Sequence, residues 1–399
     1  MIVAKLKSTK QYSMIIKAAP RLEGIESYYF ARKLKEIASL NAAGMEVLNL
    51  GIGSPDLLPD DKIISTLQTQ SLDQKNHGYQ SYSGIPALRR AICTWYQDWF
   101  SVSLDYQTEV LPLMGSKEGI MHICMSFLSA GDEVWVPNPG YPTYATCSKI
   151  AGAQVKYYDL TNSNGWLPNL AELGKEDLKK MKILWLNYPH MPTGAIISKA
   201  HLRELISFAK ANEILLVYDN PYNFILNENP ISILELEGAK DVCIELSSMS
   251  KAYNMAGWRV GYLASNREIV KTILKFKSNM DSGMFKPVQL ATIEALKMDQ
   301  SWFDSLNKVY QERRLIADKL LQHVGCKPAN YGAGLFLWAE VEDEELDGER
   351  LSDQLLNDYG VFITPGFIFG RQGKNYLRIS LCSEIAVFEN AIERIKNKV

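Results

Sequence analysis

Short apolar runs alternate with segments of helical periodicity along this chain, and this alternation restricts its possible folds more than any other feature. The strand-like runs occupy residues 109–114, 133–137, 154–158, 182–187, 214–218 and 242–246. Between two of them, an apolar face recurs at helical spacing behind Ser198, which is placed to cap a helix. Strands separated by helices predict an α/β fold, with a parallel sheet covered by helices.

The chain has 399 residues, more than a single hydrophobic core usually supports, so more than one domain is expected. After residue 269 the pattern is mainly helical, and then strand-like runs and a closing helix follow at 334–341, 361–363, 377–381 and 388–395. We therefore predict a large α/β domain at residues 50–290, and a smaller α+β domain in which residues 1–49 join residues 291–399.

Charge and composition argue against several classes of partner. The 43 basic and 45 acidic residues give a formal net charge of −2, which offers no electrostatic attraction to nucleic acid or to an anionic membrane. The six cysteines form no CxxC pair and the five histidines are scattered, so neither a disulfide framework nor a metal site is predicted. A signal peptide and a membrane-spanning run are not recognisable. We expect a cytoplasmic enzyme.

Lys251 stands in a setting that does not suit a permanently charged side chain. It follows a strand-like run and a hydroxyl-rich turn, and Ala-Tyr-Asn-Met-Ala-Gly-Trp-Arg comes after it. Burial disfavours the charged form of a lysine, and a neutral amine can form a Schiff base with an aldehyde. The hydroxyls of Ser248 and Ser250 and the forked guanidinium of Arg259 suit a phosphate. Together they predict a site for a phosphorylated aldehyde, and pyridoxal phosphate is the obvious candidate.

Two junctions offer further groups for such a cofactor, and each also has an ordinary structural explanation. Ser116 and Lys117 lie where a strand-like run meets a helix, and the backbone N–H groups at the start of a helix favour an anion. An ordinary tight turn is the commoner explanation for this sequence taken alone. Asp219 and Tyr222 follow another run, where ligands collect in open α/β sheets. The carboxylate could keep a pyridinium nitrogen protonated, or it could cap a helix or turn.

Tyr141, Asn187 and Arg378 complete the set of candidates. Tyr141 lies in a turn sequence and could offer a flat surface for a cofactor ring. Asn187 ends one strand-like run and begins a loop. Arg378 interrupts an alternating strand with a side chain that can fork onto a carboxylate, while a structural salt bridge explains it equally well.

Ser-x-Ser-Lys at 248–251, followed by Gly-Trp-Arg-x-Gly at 257–261, resembles the cofactor-lysine signature of the class I and II aminotransferases, which are pyridoxal-phosphate enzymes of fold type I. Further motifs match that family in order and spacing at 53–56, 79–89, 192–194, 219–222 and 377–380. The sequences at 115–119 and 281–283 are most similar to the aspartate and LL-diaminopimelate aminotransferase-like subgroup. The resemblance implies a mostly parallel seven-stranded sheet sandwiched by helices, with a smaller α+β domain.

The resemblance also implies a role for each candidate residue. Lys251 would bind the cofactor and shuttle a proton, with Asp219 at the ring nitrogen and Tyr222 at the ring oxygen. Arg378 would hold the substrate carboxylate beside the backbone of Gly53. Because Tyr79 would reach the phosphate of the neighbouring subunit, a homodimer is implied. The ring and the phosphate would otherwise be bound by Tyr141, Ser116, the backbone of Lys117, Ser248, Ser250 and Arg259.

The chain departs from the family's usual pattern at Met191, where asparagine normally donates to the cofactor ring oxygen. A thioether cannot donate a hydrogen bond. Either Tyr222 makes that contact alone, or Asn187 reaches in from the end of the same strand. We hypothesise that weaker contacts raise the pKa of the lysine–cofactor linkage.

The resemblance implies amino-group transfer between an L-amino acid, such as aspartate or LL-diaminopimelate, and a 2-oxo acid by a ping-pong mechanism. The expected 2-oxo acid is 2-oxoglutarate. Two alternatives stay open: a C–S β-lyase on the same fold, and a non-catalytic aminotransferase-like ligand-binding module. Candidates for the substrate side-chain pocket are Tyr28, Tyr29, Ile52, Lys117, Met284 and Lys286.

Overall fold

The computed structural model describes residues 16–25, 29–329 and 332–397. The helices in these ranges are α1 (Tyr29–Ala42), α2 (Asp61–Ser71), α3 (Pro86–Phe100), α4 (Ser116–Phe127), α5 (Pro142–Ile150), α6 (Leu170–Leu173), α7 (Lys199–Ala211), α8 (Ala239–Val242), α9 (Arg267–Lys277), α10 (Lys286–Ala295), α11 (Gln300–His323), α12 (Gly348–Tyr359) and α13 (Ile385–Lys396). The strands are β1 (Leu48–Asn49), β2 (Val110–Leu113), β3 (Glu133–Asn138), β4 (Gln154–Asp159), β5 (Met181–Asn187), β6 (Leu215–Asp219), β7 (Cys243–Ser248), β8 (Gly261–Ala264), β9 (Cys326–Pro328), β10 (Phe336–Val341), β11 (Val361–Phe362), β12 (Thr364–Pro365) and β13 (Tyr376–Ser380).

Within the described residues, a seven-stranded sheet has the order β2-β8-β7-β6-β5-β3-β4. The strands from β3 to β7 pair in parallel, whereas β8 is antiparallel to both of its neighbours, β2 and β7. Because two antiparallel steps restore the direction, β2 runs the same way as β7. The predicted α/β fold with a mostly parallel seven-stranded sheet is therefore confirmed.

The helix between β5 and β6 follows the sequence pattern closely. The Ser198 hydroxyl accepts a hydrogen bond from the backbone N–H of His201 at 3.1 Å and so caps α7, as predicted. The apolar face of α7 packs against the sheet, and its buried residues are Leu202, Leu205, Ile206 and Ala209. The sequence pattern and the structure agree because a helix with a single apolar face is stabilised by packing that face against the rest of the protein.

Strand β8 was not recognised from the sequence pattern alone. It begins at Gly261, where an added Cβ would lie 2.8 Å from the backbone N of Ser116 and 2.8 Å from the backbone O of Ser247. The close approach requires glycine at this position. Because β8 has only four residues, one glycine leaves too short an apolar run for the strand to be recognised from the sequence. The resemblance, rather than the apolar pattern, supplied the seventh strand.

A second, antiparallel sheet has the order β12-β13-β10-β9, and β1 pairs in parallel with β11. The proposed domain boundaries near residues 50 and 290 stay a prediction. None of the helices in the described ranges combines the length and the apolar character that a membrane span requires.

The segment 50–58 links the two larger sheets. On one side, the N–H of Ser380 donates to the backbone O of Leu50 at 2.8 Å. On the other side, the Asn254 amide donates to the backbone O of Leu58 at 3.1 Å. Between them, Arg313 of α11 forms a bidentate ion pair with Asp56, with both N–O distances 2.7 Å. The segment is therefore held at both ends and in the middle.

Replacement of Asp56 by asparagine is expected to destabilise the protein, because Arg313 is only 3% exposed and would lose a charged partner. The Asp56 side chain is 28% exposed, so solvent screening limits the expected loss to about 2 kcal/mol in the free energy of unfolding. Denaturant titration measures this loss. The matched control is Glu172→Gln at the exposed pair with Lys175, where a loss below about 0.5 kcal/mol is expected. Equal losses at the two sites would contradict the prediction.

Candidate active site

A cavity of about 490 Å³ opens at the carboxyl ends of the parallel strands. In the strand register, Asn187 at the end of β5 is paired with Asp219 at the end of β6, and Asp219 is paired with Leu246 of β7. The turn that follows β7 carries Ser250 and Lys251 to the same edge. Side chains that are far apart in the sequence therefore meet because their strands end together.

One end of the cavity is built for an anion. Helix α4 starts at Ser116 without a side-chain cap, so the N–H groups of its first turn have no partners within the helix. The guanidinium of Arg259 lies directly over the preceding Gly115, where an added Cβ would be 2.3 Å from Nη2. The hydroxyl-bearing Ser248 and Ser250 line the same cavity. Helix amides, a guanidinium and small hydroxyls together fit a phosphate group.

Lys251 projects its amine between this anion site and the second sheet. Its Nζ donates a hydrogen bond to the backbone O of Gly53 at 2.7 Å. The pKa of Lys251 is lowered to about 8, mainly by burial and also by the charges of Arg378 and Arg259, against an opposing effect of Cys382. An appreciable fraction of this amine is therefore neutral, and nucleophilic, close to physiological pH.

Asp219 is a buried carboxylate with only half of its hydrogen bonds made. The Tyr144 hydroxyl donates to Oδ2 at 2.5 Å, while Oδ1 has no hydrogen-bond partner among the described residues. Burial raises the pKa of Asp219 to about 7, and the bond from Tyr144 only partly opposes this. A cationic group beside Oδ1 would favour the ionised form, so this corner of the cavity fits a protonated ring nitrogen.

Arg378 lies among aromatic rings at the other side of the cavity and is 4% exposed. Its Cζ is 4.0 Å from the ring centroid of Phe336 and 4.7 Å from that of Phe369. Nη2 donates to the backbone O of Gly51 at 2.7 Å. Phe336 also covers Gly53, where an added Cβ would be 2.2 Å from the ring.

Met191 is buried in the cavity wall and contacts Arg378 rather than another polar group. Nη1 of Arg378 donates to its sulfur at 3.4 Å. The neighbouring Asn187 is held at both ends of its amide: Oδ1 accepts from the N–H of Met191 at 2.9 Å, and one N–H of Nδ2 donates to the backbone O of Asp219 at 2.8 Å. The second N–H of this amide is available for a ligand, so both alternatives for the ring-oxygen contact stay open.

The cavity brings together most of the residues predicted for a site, although their roles remain predictions. Tyr79 is not among the lining residues and is 95% exposed. Of the candidate side-chain pocket, Ile52 and Lys117 line the cavity, Tyr29, Met284 and Lys286 do not, and Tyr28 lies outside the described residues. The predicted site residues along the cavity wall are Gly53, Ser116, Lys117, Tyr141, Asn187, Asp219, Tyr222, Ser248, Ser250, Lys251, Arg259 and Arg378.

Sequence reasoning missed the aromatic part of the wall and the partner of Asp219. Tyr144 follows Tyr141 by three residues, and the start of a helix at Pro142 is the signal that would have placed both on one face. The two rings meet edge to face, with centroids 5.5 Å apart. No comparable signal marks five further cavity residues that come from elements distant in the sequence, namely Phe30, Ala31, Leu34, Phe336 and Phe369.

Comparison with known proteins places the chain among close relatives. The sequence profile of the aminotransferase class I and II family matches residues 45–395. The LL-diaminopimelate aminotransferase of Dehalococcoides mccartyi strain CBDB1 is 40% identical over 382 residues, which cover 95% of this chain and 98% of the relative. The LL-diaminopimelate aminotransferase of Desulforudis audaxviator is 40% identical over 380 residues, covering 95% and 97%. In three dimensions, BacF from Bacillus subtilis has a TM-score of 0.91 at 32% identity and covers 96% of this chain and 98% of its own.

Replacement of Asp219 by asparagine is expected to stabilise the cofactor-free protein at high pH. The pKa of Asp219 rises from its ordinary value of 3.8 to about 7 on folding, so ionisation opposes folding as the pH rises through this window. Below pH 4 the variant and the wild type should have the same free energy of unfolding. Between pH 4 and 7 the variant should become the more stable of the two, and at higher pH its free energy of unfolding should exceed that of the wild type by about 4 kcal/mol. Denaturant unfolding across pH measures the difference. A difference that does not change with pH would contradict the prediction.

Proposed function

The chain belongs to the class I and II aminotransferases, and from this premise we propose that it transfers an amino group between an L-amino acid and a 2-oxo acid with pyridoxal 5'-phosphate as cofactor. The proposal rests on one observation above all. The amine of Lys251, the unsatisfied carboxylate oxygen of Asp219 and the guanidinium of Arg378 belong to a single cavity. These are the three groups that a reaction on an amino acid with this cofactor requires: an amine, an anion for the ring nitrogen and a cation for the substrate carboxylate.

The residues present fit the cofactor at each of its polar groups. Oδ1 of Asp219 would receive the ring N–H, and the wall beside Tyr141 would take the flat ring. The start of α4 and the guanidinium of Arg259 would bind the phosphate. The phosphate ligands we propose are Ser116, Lys117 through its backbone, Ser248, Ser250 and Arg259, with Tyr79 from a second subunit.

When bound, pyridoxal phosphate supplies a conjugated electron sink for the electrons of a broken bond at the substrate α-carbon. The protein has to decide which bond breaks. Arg378 holds the substrate carboxylate, and its ring neighbours keep the guanidinium fixed. Fixing the carboxylate directs the α C–H bond, rather than a C–C bond, toward the position from which it is cleaved.

Lys251 is the proposed base for the α-proton. Its pKa of about 8 lets the amine accept a proton near neutral pH, and the backbone O of Gly53, 2.7 Å away, can then stabilise the ammonium. From this position Nζ would hold the proton and could return it within the cavity.

A homodimer is proposed because Tyr79 is too exposed to act within its own subunit. It is 95% exposed, and Leu72, Tyr82, Met280 and Phe285 are likewise exposed apolar side chains. Apolar side chains exposed in this way favour an interface. The family's dimers put the corresponding residue in the neighbouring site, and Tyr79 would do the same here.

The substrate we propose is LL-diaminopimelate, aspartate or a similar amino acid, with 2-oxoglutarate as the acceptor and ping-pong kinetics. The names of the relatives from Dehalococcoides mccartyi and Desulforudis audaxviator support the first choice. Lys117 lines the cavity and could meet a distal carboxylate.

A half-reaction screen tests the activity. Mixing the cofactor-loaded protein with one amino acid at a time should convert the cofactor to its amine form once per site, as followed by absorbance. A true substrate should then need a 2-oxo acid for further turnover. Continuous turnover with an amino acid alone would indicate the C–S β-lyase instead, and no conversion with any amino acid would rule out the transaminase.

Two variants divide the proposed roles of binding and chemistry. Lys251→Ala should abolish turnover but still admit the cofactor through the phosphate contacts. Arg378→Ala should retain cofactor loading and raise KM for all amino acids alike, by about a hundredfold, because a charged hydrogen-bonded contact is lost. Selective loss of one amino acid in Arg378→Ala would contradict a role at the common carboxylate.

Met191→Asn tests the departure at the ring oxygen. An amide at this position can donate where the thioether cannot, so we expect the variant to lower the pKa of the lysine–cofactor linkage. A pH titration of cofactor absorbance in the absence of substrate measures this directly. Met191→Leu is the matched control, since it keeps the volume but supplies no donor, and an unchanged pKa in Met191→Asn would refute the hypothesis.

A further inference from the structure

Four ionisable side chains gather beside the phosphate-binding end of the cavity, and the proposed reaction uses none of them. They are Glu118, His122, Lys277 and Asp281, which we call the ionic cluster. Lys277 is 1% exposed, and its Nζ lies 2.7 Å from Oδ1 of Asp281. Nε2 of His122 is 3.2 Å from Oε1 of Glu118. Burying this many ionisable groups is costly unless they compensate one another, so the cluster needs an explanation.

A metal site is the first alternative for the cluster. One ligand atom each of Glu118, His122 and Asp281 can be chosen so that all three lie within 4.8 Å of one another. However, the ammonium of Lys277 already contacts both oxygens of Asp281, at 2.7 and 2.5 Å. A divalent cation in the same place would be repelled by this charge. Lys277 therefore supplies the positive charge that a metal ion would otherwise supply.

One end of the ionic cluster fixes the turn that binds the phosphate. Oε2 of Glu118 accepts a hydrogen bond from the backbone N–H of Met114 at 2.6 Å. Met114 directly follows β2, and Gly115 and Ser116 come after it. Glu118 thus closes the turn at Gly115, over which the guanidinium of Arg259 lies.

The other end of the ionic cluster fixes a segment that packs against the loop of Tyr79. Asp281 is followed by Gly283, whose φ of +82° and close approach leave no room for a side chain: an added Cβ would be 2.6 Å from the backbone O of Ser81. The buried amide of Gln289 makes a second link, because it donates to the backbone O of Met284 at 2.7 Å and accepts from the N–H of Ile85 at 2.8 Å. Residues 281–284 and 80–85 are therefore held together.

We propose that the ionic cluster positions the phosphate-binding turn relative to the loop that carries Tyr79. The inference rests on the proposed function, in which Ser116 and Arg259 bind the phosphate of their own subunit while Tyr79 binds that of the neighbouring one. A phosphate at each shared site is correctly surrounded only if the turn and the loop of every subunit keep a fixed spacing. The four residues of the ionic cluster are positioning residues and do not touch the ligand.

The test compares pyridoxal phosphate with pyridoxal, which lacks the phosphate but can still react with Lys251. In Asp281→Asn we expect the Kd for pyridoxal phosphate to rise about tenfold, in the range of coupling through a buried charged network. The Kd for pyridoxal should change by less than about twofold, since the contacts to the ring are unaffected. A merely structural defect would weaken both ligands together.

A double-mutant cycle with Tyr79→Phe shows whether the effect passes through Tyr79. If the ionic cluster positions this loop, the combined variant should lose about as much phosphate affinity as the worse single variant, rather than the product of the two losses. Should Asp281→Asn fail to fold, Glu118→Gln replaces it, because the glutamine oxygen can still accept from Met114 while the charge is removed. Glu245→Gln is the matched control: Glu245 is a buried carboxylate of β7 that accepts from the hydroxyl of Ser232 and the backbone N–H of Ile233, both far from residues 80–85 in the sequence.

The outcomes separate the two proposals. A wild-type protein that binds neither ligand would overturn the proposed function. If the wild type binds both ligands, three results would each overturn the role of the ionic cluster. The first is an equal loss of affinity for pyridoxal phosphate and pyridoxal, and the second is additive losses of affinity in the double-mutant cycle. The third is the same phosphate-specific loss of affinity in Glu245→Gln.

Discussion

The buried, half-satisfied carboxylate of Asp219 is the constraint on which the rest of the cavity depends. Burial makes its ionised form unfavourable, and Tyr144 supplies only one of the hydrogen bonds that a carboxylate can accept. The unpaired Oδ1 therefore favours a cationic ligand, which would stabilise the ionised carboxylate. Under the proposed function the ring nitrogen of the cofactor would lie at Oδ1, and the amine of Lys251 and the start of α4 would meet its other polar groups.

Much of the fold could be predicted from the sequence, for physical reasons that differ between elements. Helix α7 was placed correctly because its cap at Ser198 and its apolar face are both local signals. Strand β8 was missed because a close backbone approach at Gly261 requires a residue that interrupts the apolar pattern. A local sequence signal predicts an element whose conformation depends on residues close in the sequence. It does not predict an element whose residues are determined by contact with a segment that is distant along the chain.

The candidate site divides in the same way. Lys251, Asp219 and Arg378 could be named from motifs because each has a chemical role that few residue types can fill. The rings of Phe336 and Phe369 around Arg378 could not, since any large apolar side chain from several elements could have filled that space. The commitment of Asn187 to the backbone of Met191 and Asp219 was also hidden, because an amide's hydrogen-bond partners are set by the folded geometry. The sequence had left both alternatives for the ring-oxygen contact open for this reason.

The segment 50–58 connects the two sheets, and its backbone carbonyls accept hydrogen bonds from two basic side chains of the cavity. The carbonyl of Gly51 accepts from Arg378, and that of Gly53 accepts from Lys251. Because these carbonyls are two residues apart in a segment fixed by Asp56 and Arg313, the span between guanidinium and amine is set by a short length of backbone. Under the proposed function, the substrate carboxylate would lie at one end of that span and the α-carbon close to the amine at the other end. The span would then favour amino acids whose amino and carboxylate groups share one carbon over those in which an additional methylene separates them.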